Sequence, residues 1–322
     1  MLCIKSPSHD PYFNIACEEY LLKHRTDEFF MLYRNQPSVV VGKHQNTLAE
    51  IDIDIVKKQG IKVVRRLSGG GAVYHDLGNL NFTFIKNGKE GKMVDFKGYT
   101  EPIIAALAKI GLEAKFEGHN NLTINGLKIS GNAEHVFKSR VMHHGTLLFQ
   151  SNLHLLAQLL YVDKNRYSDR AVQSVLATVT NISDHLPQPM TIDDFAQHLW
   201  EHILTVFADA TEYSLSAEDK VHINKLYEEK YIRWEWNFGY SPSYSLQRKI
   251  ELPSGTITIA LDVDNGNISN VMITGSSFPR YVAQSIEEAL MGRRHETDVL
   301  ARALAGIPLD DEQRNTIVDG IL

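Results

Sequence analysis

Three consecutive glycines, residues 69–71, constrain the fold of this chain more than any other feature of its 322-residue sequence. β-Prone runs lie on both sides, at residues 61–64 and 72–74, so the glycines form a tight connection between strands. Because glycine has no Cβ, such a loop exposes backbone N–H groups and lets an anion approach the main chain. Arg65 and Arg66 precede the loop and add bidentate donors. The segment predicts an anion-binding turn; an ordinary turn with exposed arginines is the alternative.

The remaining apolar pattern alternates between helices and short strands. Asp10 followed by proline predicts the start of a helix, and residues 100–110 predict another helix with Thr100 as its cap. Asn125-Gly126, between two β-prone runs, predicts a hairpin with a type I′ turn. The glycine loop itself is neither a Walker A loop nor a Rossmann fingerprint, because no Gly-Lys-Ser/Thr follows and the glycine spacing differs.

A second unit is predicted after the proline at position 242. Residues 257–263 and 268–273 predict a hairpin around an Asp-Asn-Gly turn, and two helices follow at about residues 281–291 and 296–304. Together they form an α+β module of ordinary domain size.

Composition excludes several classes of protein. The formal net charge is −6 and the pI is near 6.2, whereas a general nucleic-acid or membrane-surface binder usually carries a basic excess. No apolar run reaches the length of a membrane span, and the N-terminal residues lack the apolar core of a secretory signal. Cys3 and Cys17 form no C-x-x-C pair, so neither a zinc site nor a disulfide framework is indicated. We expect a cytoplasmic protein that binds neither nucleic acid nor membrane.

The segment at residues 65–79 resembles, almost residue for residue, the R-R-x-S-G-G-G-A-V-x-H-D-x-G-N motif of lipoate–protein ligases. Other segments are similar to further motifs of that family, in the family's order along the chain: residues 10–19, 35–46, 128–133, 143–148, 179–182 and 234–239. One motif alone is moderate evidence, but this series identifies the chain as a member of the family by resemblance.

The resemblance implies a fold and a reaction. The fold is α+β, with a biotin/lipoate ligase-like catalytic domain of mixed sheets and flanking helices over residues 1–240 and a small α+β accessory domain over residues 241–322. The reaction activates lipoate with ATP to lipoyl-AMP and transfers the acyl group to a lysine of a lipoyl carrier domain. ATP, Mg²⁺ and lipoate are implied as substrates, with no tightly bound prosthetic group. The implied carriers are E2 subunits of 2-oxoacid dehydrogenases and the H protein of the glycine cleavage system.

The resemblance also implies site residues. Lys128 matches a catalytic lysine that contacts both the acyl carboxylate and the α-phosphate, a role suited to a cationic point donor. The positions implied for ATP are Arg66, Gly71, Ala72, Val73, Tyr74 and Lys128. Those implied for lipoate are Val40, Arg65, Ser68, Gly70, His75 and Lys128, with Val40, Val73 and Leu148 proposed as walls of an apolar slot.

His75 and the pair His143-His144 each allow two interpretations. His75 is either a catalytic base or a residue that positions its neighbours by hydrogen bonds; we favour positioning, because the incoming lysine can lose its proton to solvent or to the departing phosphate. His143 and His144 suggest a metal site. Adjacent strand residues point to opposite faces of a sheet, so the pair does not easily ligate one metal, and we expect no metal centre held by the protein.

Two positions depart from the family pattern. Asn121 stands where a carboxylate that could help hold Mg²⁺ is usual, and Leu176 stands where an arginine is usual. Both departures fall on the nucleotide side. They leave open two alternatives: a lipoyltransferase that uses preformed lipoyl-AMP, with weak or no ATP-dependent activation, and a diverged, non-catalytic lipoyl-binding paralogue. The sequence also leaves open whether lipoate or octanoate is preferred.

Overall fold

Mixed sheets form the framework of the molecule. The structure, a computed structural model, describes residues 1–88, 93–160, 166–175 and 177–322. The strands are β1 (Leu2–Lys5), β2 (Phe29–Tyr33), β3 (Ser38–Val41), β4 (Lys62–Arg65), β5 (Val73–His75), β6 (Asn79–Asn87), β7 (Lys115–Glu117), β8 (Asn121–Ile124), β9 (Leu127–Phe137), β10 (Arg140–Leu148), β11 (Ser168–Asp169), β12 (Thr211–Glu212), β13 (Tyr244–Leu252), β14 (Gly255–Asp264) and β15 (Asn267–Gly275).

Helices flank these sheets. They are α1 (Pro11–His24), α2 (Thr47–Glu50), α3 (Ile53–Lys58), α4 (Phe96–Lys109), α5 (Leu153–Leu160), α6 (Ile192–Val206), α7 (Ala217–Leu226), α8 (Arg280–Leu290), α9 (Thr297–Leu304) and α10 (Asp311–Ile321). A 3₁₀ turn covers Ile182–His185, and π-helical turns cover Tyr227–Tyr231 and Glu235–Gly239. Within the described residues, none of these helices has both the length and the apolar character that crossing a membrane requires.

The helix predicted behind Asp10 is confirmed, whereas the predicted cap of the next long helix is wrong. The Asp10 carboxylate accepts from the Tyr12 N–H and caps α1. Helix α4 begins at Phe96 with Asp95 as its N-cap, four residues earlier than predicted. The Thr100 hydroxyl donates to the Phe96 carbonyl at 2.9 Å, so it bonds backwards inside the helix instead of capping it.

The largest sheet has eight strands in the order β12-β1-β2-β6-β10-β9-β8-β7. β1 runs parallel to β2 and β12, and the remaining pairs are antiparallel. Buried apolar residues cover both of its faces. One face packs on α4 and α6, for example through Phe84 and Trp200, and the other packs on α1, for example through Met31 and Leu21. A sheet that is buried on both faces fixes the positions of its polar residues tightly.

A small three-stranded sheet, β4-β3-β5, lies on the α1 side of the large sheet. β3 pairs with β4 in parallel and with β5 antiparallel, with Val40 opposite Val73 and Ser38 opposite His75. The glycine loop connects β4 to β5. This small sheet and the large sheet therefore form two walls with the glycine loop at one edge.

The C-terminal part contains a four-stranded sheet, β11-β13-β14-β15, covered by α8, α9 and α10. The hairpin and two helices predicted there are present; strand β13 and helix α10 were not predicted. β11 belongs to the residues before 240 but pairs with β13, with Ser168 opposite Ser245. Backbone pairing therefore joins this sheet to the chain segment that precedes residues 172–175.

Both predicted Asn-Gly hairpin turns have the backbone conformation that a type I′ turn needs. Asn125 and Gly126 have φ values of 53° and 75°, and Asn265 and Gly266 have 49° and 72°. A type I′ turn requires positive φ at both central residues, which asparagine and glycine tolerate best. The first of these turns fixes the start of β9, and Lys128 is the second residue of that strand.

Candidate active site

A cavity of about 330 Å³ lies between the small sheet, the large sheet and α1. Eight of the eleven predicted site residues line it: Val40, Arg66, Gly70, Gly71, Ala72, Val73, His75 and Lys128. The other lining residues come from α1, β2, β6, β8, β9 and β10 and from residues 120, 172–175 and 177. Arg65, Ser68, Tyr74 and the proposed wall residue Leu148 do not line it.

The Arg66 guanidinium holds the glycine loop from behind. Its Nη2 donates to the carbonyls of Gly69 and Gly71 at 2.7 and 2.8 Å, and Nη1 donates to the Val40 carbonyl at 3.0 Å. Nε donates to the Ser68 hydroxyl at 3.0 Å. Because the carbonyls turn inward to this cation, the loop is ordered by its own arginine and is positively charged underneath. Burial lowers the pKa of Arg66 to about 10, which leaves it charged at neutral pH.

Close backbone packing explains two glycines around the loop. A Cβ on Gly42 would come within 2.1 Å of the Gly70 carbonyl oxygen, so no other residue fits there without moving the loop. Gly70 itself has a φ of +89°, a conformation that side chains rarely adopt. At Gly69, by contrast, an added Cβ meets nothing within 4 Å.

The Ser174 hydroxyl lies over the loop. It accepts from the Ala72 N–H at 2.8 Å and from the Gln45 side-chain amide at 3.1 Å. A Cβ on Gly71 would lie 2.9 Å from this hydroxyl. A backbone donor predicted to serve a nucleotide is therefore bonded to a protein oxygen, and a ligand that uses this N–H must take the place of the Ser174 hydroxyl.

Lys128 lies on the opposite wall. Its main chain forms a parallel bridge to Val179, because its N–H donates to the Thr178 carbonyl at 2.9 Å and its carbonyl accepts from the Thr180 N–H at 3.0 Å. Its ammonium has no hydrogen-bond or ion-pair partner within the part of the chain that the structure describes. Burial, and after it the charge of Arg66, lowers the pKa of Lys128. A partly desolvated cation facing a cavity without a counter-ion attracts an anionic ligand.

Arg65 has a structural role in this arrangement. Its side chain is fully buried and donates to seven oxygens, those of Gly42, Lys43, Gln45, Thr47, Trp236, Asn237 and Ser241. These acceptors belong to the loop after β3, to α2 and to the segment that leads into the C-terminal part. Since Arg65 does not line the cavity and its donors bind protein oxygens, its side chain supports the fold in this arrangement, and the lipoate contact stays a prediction.

Ser68 and Tyr74 lie one layer behind the cavity wall. The Ser68 hydroxyl bonds to Arg66 and, at 2.6 Å, to His144 Nε2. Tyr74 follows Val73 on β5, and because neighbouring strand residues point to opposite faces, its side chain packs into a core behind the strand. Burial raises the pKa of Tyr74 to about 12. Both side chains therefore occupy supporting positions in this arrangement, and their contacts with ligand stay predictions.

Glu18 and His144 form a buried network that the sequence argument did not assign. The Glu18 carboxylate faces His144 Nδ1 at 3.0 Å and accepts from the hydroxyls of Tyr33 and Thr83. Burial on its own raises the pKa of Glu18, but these partners outweigh it and hold the pKa below its ordinary value. Through Ser68 the network reaches Arg66, so a carboxylate behind the wall supports the arginine that holds the loop.

His75 is buried, and one of its ring nitrogens has a protein partner. Nδ1 lies 2.9 Å from the Asn35 side-chain nitrogen, while Nε2 has no hydrogen-bond partner within the described residues. Burial, and after it the nearby positive charge, lowers the pKa of His75 to about 3, so the ring is neutral at physiological pH. This agrees with positioning rather than with a base that gains a proton.

The two consecutive histidines of β10 point to opposite faces, as the strand geometry predicts. His143 faces Glu134 and Asn132, whereas His144 faces Glu18. Among the described residues no three His, Cys, Asp or Glu side chains gather in a group that could hold a metal ion. Asn121 lines the cavity, and its Oδ1 is buried without a partner in the same described part. Leu176, the other departure from the family pattern, lies outside the described residues.

Comparison with known proteins places these features in a family context. The Lipoyl protein ligase A/B catalytic domain model matches residues 10–204, and the Bacterial lipoate protein ligase C-terminus model matches residues 241–321. A lipoate-protein ligase of Bacillus subtilis, LplJ, is 41% identical over 94% of this chain and 92% of its own length. Lipoate–protein ligase 1 of Staphylococcus aureus is 38% identical over 92% of this chain and 90% of its own.

Solved structures agree with the sequence relatives. A lipoate-protein ligase A bound with ATP superposes with a TM-score of 0.63 at 26% identity, covering 74% of this chain and 98% of its own. A putative lipoate protein ligase from Thermoplasma acidophilum with bound lipoic acid gives 0.62 at 25% identity, with the same coverage. The α+β fold expected from the sequence is confirmed by these similarities.

Proposed function

Because this chain belongs to the lipoate–protein ligase family, we propose that it activates lipoate with ATP and transfers the lipoyl group to a carrier lysine. The similar structures were solved with ATP and with lipoic acid, the two substrates of the proposed first step. The intermediate is lipoyl-AMP, a mixed anhydride that remains in the cavity between the two half-reactions.

One observation supports this proposal most directly. A lysine ammonium that has no partner among the described residues faces, across a cavity, a glycine loop that an arginine holds from behind. Such a pair of walls suits a ligand that carries a carboxylate and a phosphate at neighbouring atoms. The apolar side chains of Val40 and Val73 continue from this polar edge and offer a surface for an acyl chain.

In the first half-reaction, a carboxylate oxygen of lipoate attacks the α-phosphorus of ATP. The bond between that phosphorus and the bridging oxygen of pyrophosphate breaks, and pyrophosphate leaves with the bonding electrons. Both reactants are anions, so their approach is opposed by repulsion. We propose that the Lys128 ammonium lies between them and that N–H groups of the glycine loop stabilise the phosphoryl oxygens.

In the second half-reaction, the uncharged amine of the carrier lysine attacks the acyl carbon of lipoyl-AMP. The bond from that carbon to the phosphate oxygen breaks, AMP leaves, and the amine proton passes to solvent or to the departing phosphate. Negative charge develops first on the acyl oxygen and then on AMP. A lysine that already contacts both groups serves this step as well, which is why Lys128 is proposed for both.

Mg²⁺ enters this proposal as part of the ATP substrate. Magnesium usually keeps several waters and takes only one or two protein oxygens besides the phosphates. Asn121 Oδ1, which has no partner in the described part of the chain, is an oxygen ligand of the right kind in the cavity. A neutral amide is a weaker partner for the cation than a carboxylate, so the phosphates would provide most of the binding.

The carrier is proposed from the same family relationship. A bipartite ligase of Thermoplasma acidophilum, 26% identical with a TM-score of 0.64, was studied together with its E2 lipoyl domain. We propose that E2 lipoyl domains and the H protein of glycine cleavage present the accepting lysine. We further propose a domain boundary at residue 240 and a cytoplasmic location, where the two free buried thiols, Cys3 and Cys17, would stay reduced.

The proposal is tested by ATP–pyrophosphate exchange with lipoate, octanoate and biotin in parallel. We expect exchange that depends on lipoate or octanoate and on Mg²⁺, but not on biotin. Incubation with a purified E2 lipoyl domain and with H protein should then add one acyl group to each, measured by intact-protein mass spectrometry. Absence of exchange together with transfer from synthetic lipoyl-AMP would replace the ligase by a transferase, and absence of both would refute the enzymatic role.

A further inference from the structure

Hydrogen bonds outside the cavity determine which nitrogen of His75 carries the proton. The Asn14 side-chain nitrogen lies 3.0 Å from the Ser8 carbonyl and 2.8 Å from Asn35 Oδ1. A main-chain carbonyl only accepts, so this Asn14 atom must be the NH₂ group. Asn14 Oδ1 in turn accepts from the Ser6 hydroxyl at 2.5 Å, which agrees with that orientation.

The orientation of the Asn14 amide determines that of the Asn35 amide, and the Asn35 amide determines the tautomer of His75. Since Asn14 donates, the Asn35 atom that faces it is the acceptor oxygen, and the Asn35 atom that faces His75 is the NH₂ group. An NH₂ group only donates, so Nδ1 of His75 accepts and carries no proton. The neutral ring therefore has its proton on Nε2. Protonation of Nδ1 would require the whole amide chain to be broken, which also disfavours a general-base role.

The result is a buried N–H donor, on Nε2, that lines the cavity and has no partner within the described residues. A second donor lies at the same end. Asn81 lies opposite Tyr33, two residues before Asn35, in the pairing of β6 with β2. Within the described residues its NH₂ group makes one long contact, of 3.4 Å, to the Tyr33 carbonyl. This end of the cavity therefore presents donors to whatever occupies it, and a purely hydrocarbon tail would leave them unsatisfied.

Strand geometry separates these donors from the cation. The Lys128 ammonium folds back over Gly131, 3.2 Å from where a Cβ would stand. Gly131 bonds to Thr146 on β10, and Thr146 lies opposite Asn81 on β6. Two strand spacings, about 10 Å, therefore separate the main chains of Gly131 and Asn81. An extended eight-carbon acid measures about 9 Å, given carbon–carbon bonds of ~1.5 Å. An acid of this length with its carboxylate at Lys128 would end at the Asn81 side of the cavity, which His75 also lines.

We propose that the Nε2–H of His75, with the Asn35–Asn14 amide chain fixing its tautomer, donates to a dithiolane sulfur and so selects lipoate over octanoate. This inference rests on the proposed function and adds a specificity-determining contact to it. Thioether-type sulfur is a weak acceptor, but octanoate offers no acceptor at that depth. A site whose buried donors match one substrate disfavours an analogue that lacks the matching acceptor.

The test measures adenylation by pyrophosphate exchange with lipoate and with octanoate, in the full-length chain and in His75→Phe. Phenylalanine keeps a ring and removes the donor. We expect the ratio of kcat/KM for lipoate to that for octanoate to fall about fivefold, the size of one ordinary hydrogen bond. Val73→Ala is the control, because it shortens an apolar wall beside the chain and should weaken both acids by a similar factor.

A second measurement uses the wild-type chain, so it does not require that any variant folds. Long-range proton–nitrogen NMR spectra of the ¹⁵N-labelled wild-type chain distinguish the two neutral tautomers and the imidazolium. We expect the Nε2–H form of His75 from pH 5 to 8, with an Nε2 resonance that moves when lipoate is added and moves less with octanoate. His75→Phe identifies the resonance if that variant folds, and His75→Gln serves otherwise.

The outcomes separate this inference from the proposed function. A wild-type ratio near one, an unchanged ratio in His75→Phe, or a proton on Nδ1 would overturn the inference while leaving the ligase intact. Failure of the wild-type chain to activate either acid would overturn the proposed function, and the inference with it.

Discussion

On the glycine-loop side of the cavity, Arg66 directs four hydrogen bonds into the protein itself, whereas on the opposite side the Lys128 ammonium has no partner within the described residues. Both cations line the same cavity and both have lowered pKa values from burial. The first cation orders a loop before any ligand arrives; the second is left for the ligand. A site of this kind combines a preorganised backbone with one uncompensated charge.

Removal of the uncompensated charge should have the largest effect. We expect Lys128→Ala to lose at least about 100-fold in both ATP-dependent ligation and transfer from synthetic lipoyl-AMP, since one group stabilises charge in both steps. Lys115→Ala is the matched control, because Lys115 is exposed and pairs with Glu113 at 3.0 Å. Activity above about a tenth of wild type in both assays, a loss below ~1.4 kcal/mol, would contradict the shared role.

Distortion of the preorganised loop should come next. At Gly70 the φ of +89° and the nearby Arg66 Nη2 oppose any β-branched residue. We expect Gly70→Val to weaken lipoyl-AMP binding about tenfold or more, measured by calorimetry, because forcing valine into this conformation costs about 1–3 kcal/mol. Gly69→Val is the neighbouring control and should change affinity about twofold at most. Equal affinities in two variants that melt normally would mean that the loop is only a connection.

Substitution of the two adjacent arginines should affect protein stability and lipoyl-AMP affinity differently. Arg65→Met removes buried bonds that tie the small sheet to the segment before the C-terminal part, and we expect about 3 kcal/mol lower stability in denaturant unfolding. Its lipoyl-AMP affinity, measured on folded protein, should fall less than that of Arg66→Met, which releases the glycine loop. If Arg65→Met lost more affinity and less stability than Arg66→Met, the assignment of the two side chains would be reversed.

The smallest effect is expected from a substitution at Asn121, a position implied to lie near the nucleotide. Asn121→Asp provides a carboxylate for Mg²⁺ and should raise the ATP-dependent adenylation rate about threefold to tenfold, in line with a charge-assisted contact. Transfer from lipoyl-AMP requires no metal-bound pyrophosphate and should change less. The companion change Leu176→Arg should add to the effect. An adenylation rate that stays the same in the double variant, beside robust activity of the native chain, would show that other groups already provide these functions.

Local sequence signals predicted the elements that build the site with fair accuracy. The β-prone run predicted at residues 61–64 corresponds to β4, and the predicted hairpin at Asn125-Gly126 has the required positive φ values. The wrong or missing predictions concern segments whose residue types fit more than one kind of structure. Thr100 has the hydroxyl of a helix cap, yet it bonds to the Phe96 carbonyl inside α4. Helix α10 carries a capping box at Asp310 but few apolar residues, so its periodicity is weak.

The sequence by itself determined the local chemistry: a glycine loop after two arginines, a lysine beside a type I′ turn, and histidines on strands. It could not decide which arginine faces the cavity, because Arg65 and Arg66 are chemically identical and adjacent. Long-range contacts made that choice, with Asn237 and Ser241 binding the first and Val40 and the loop binding the second. The proton position on His75 was likewise set by residues up to 61 positions away, from Asn14 through Asn35. Hydrogen bonds between distant segments form only after the chain folds, so neither result can be found in the order of the residues alone.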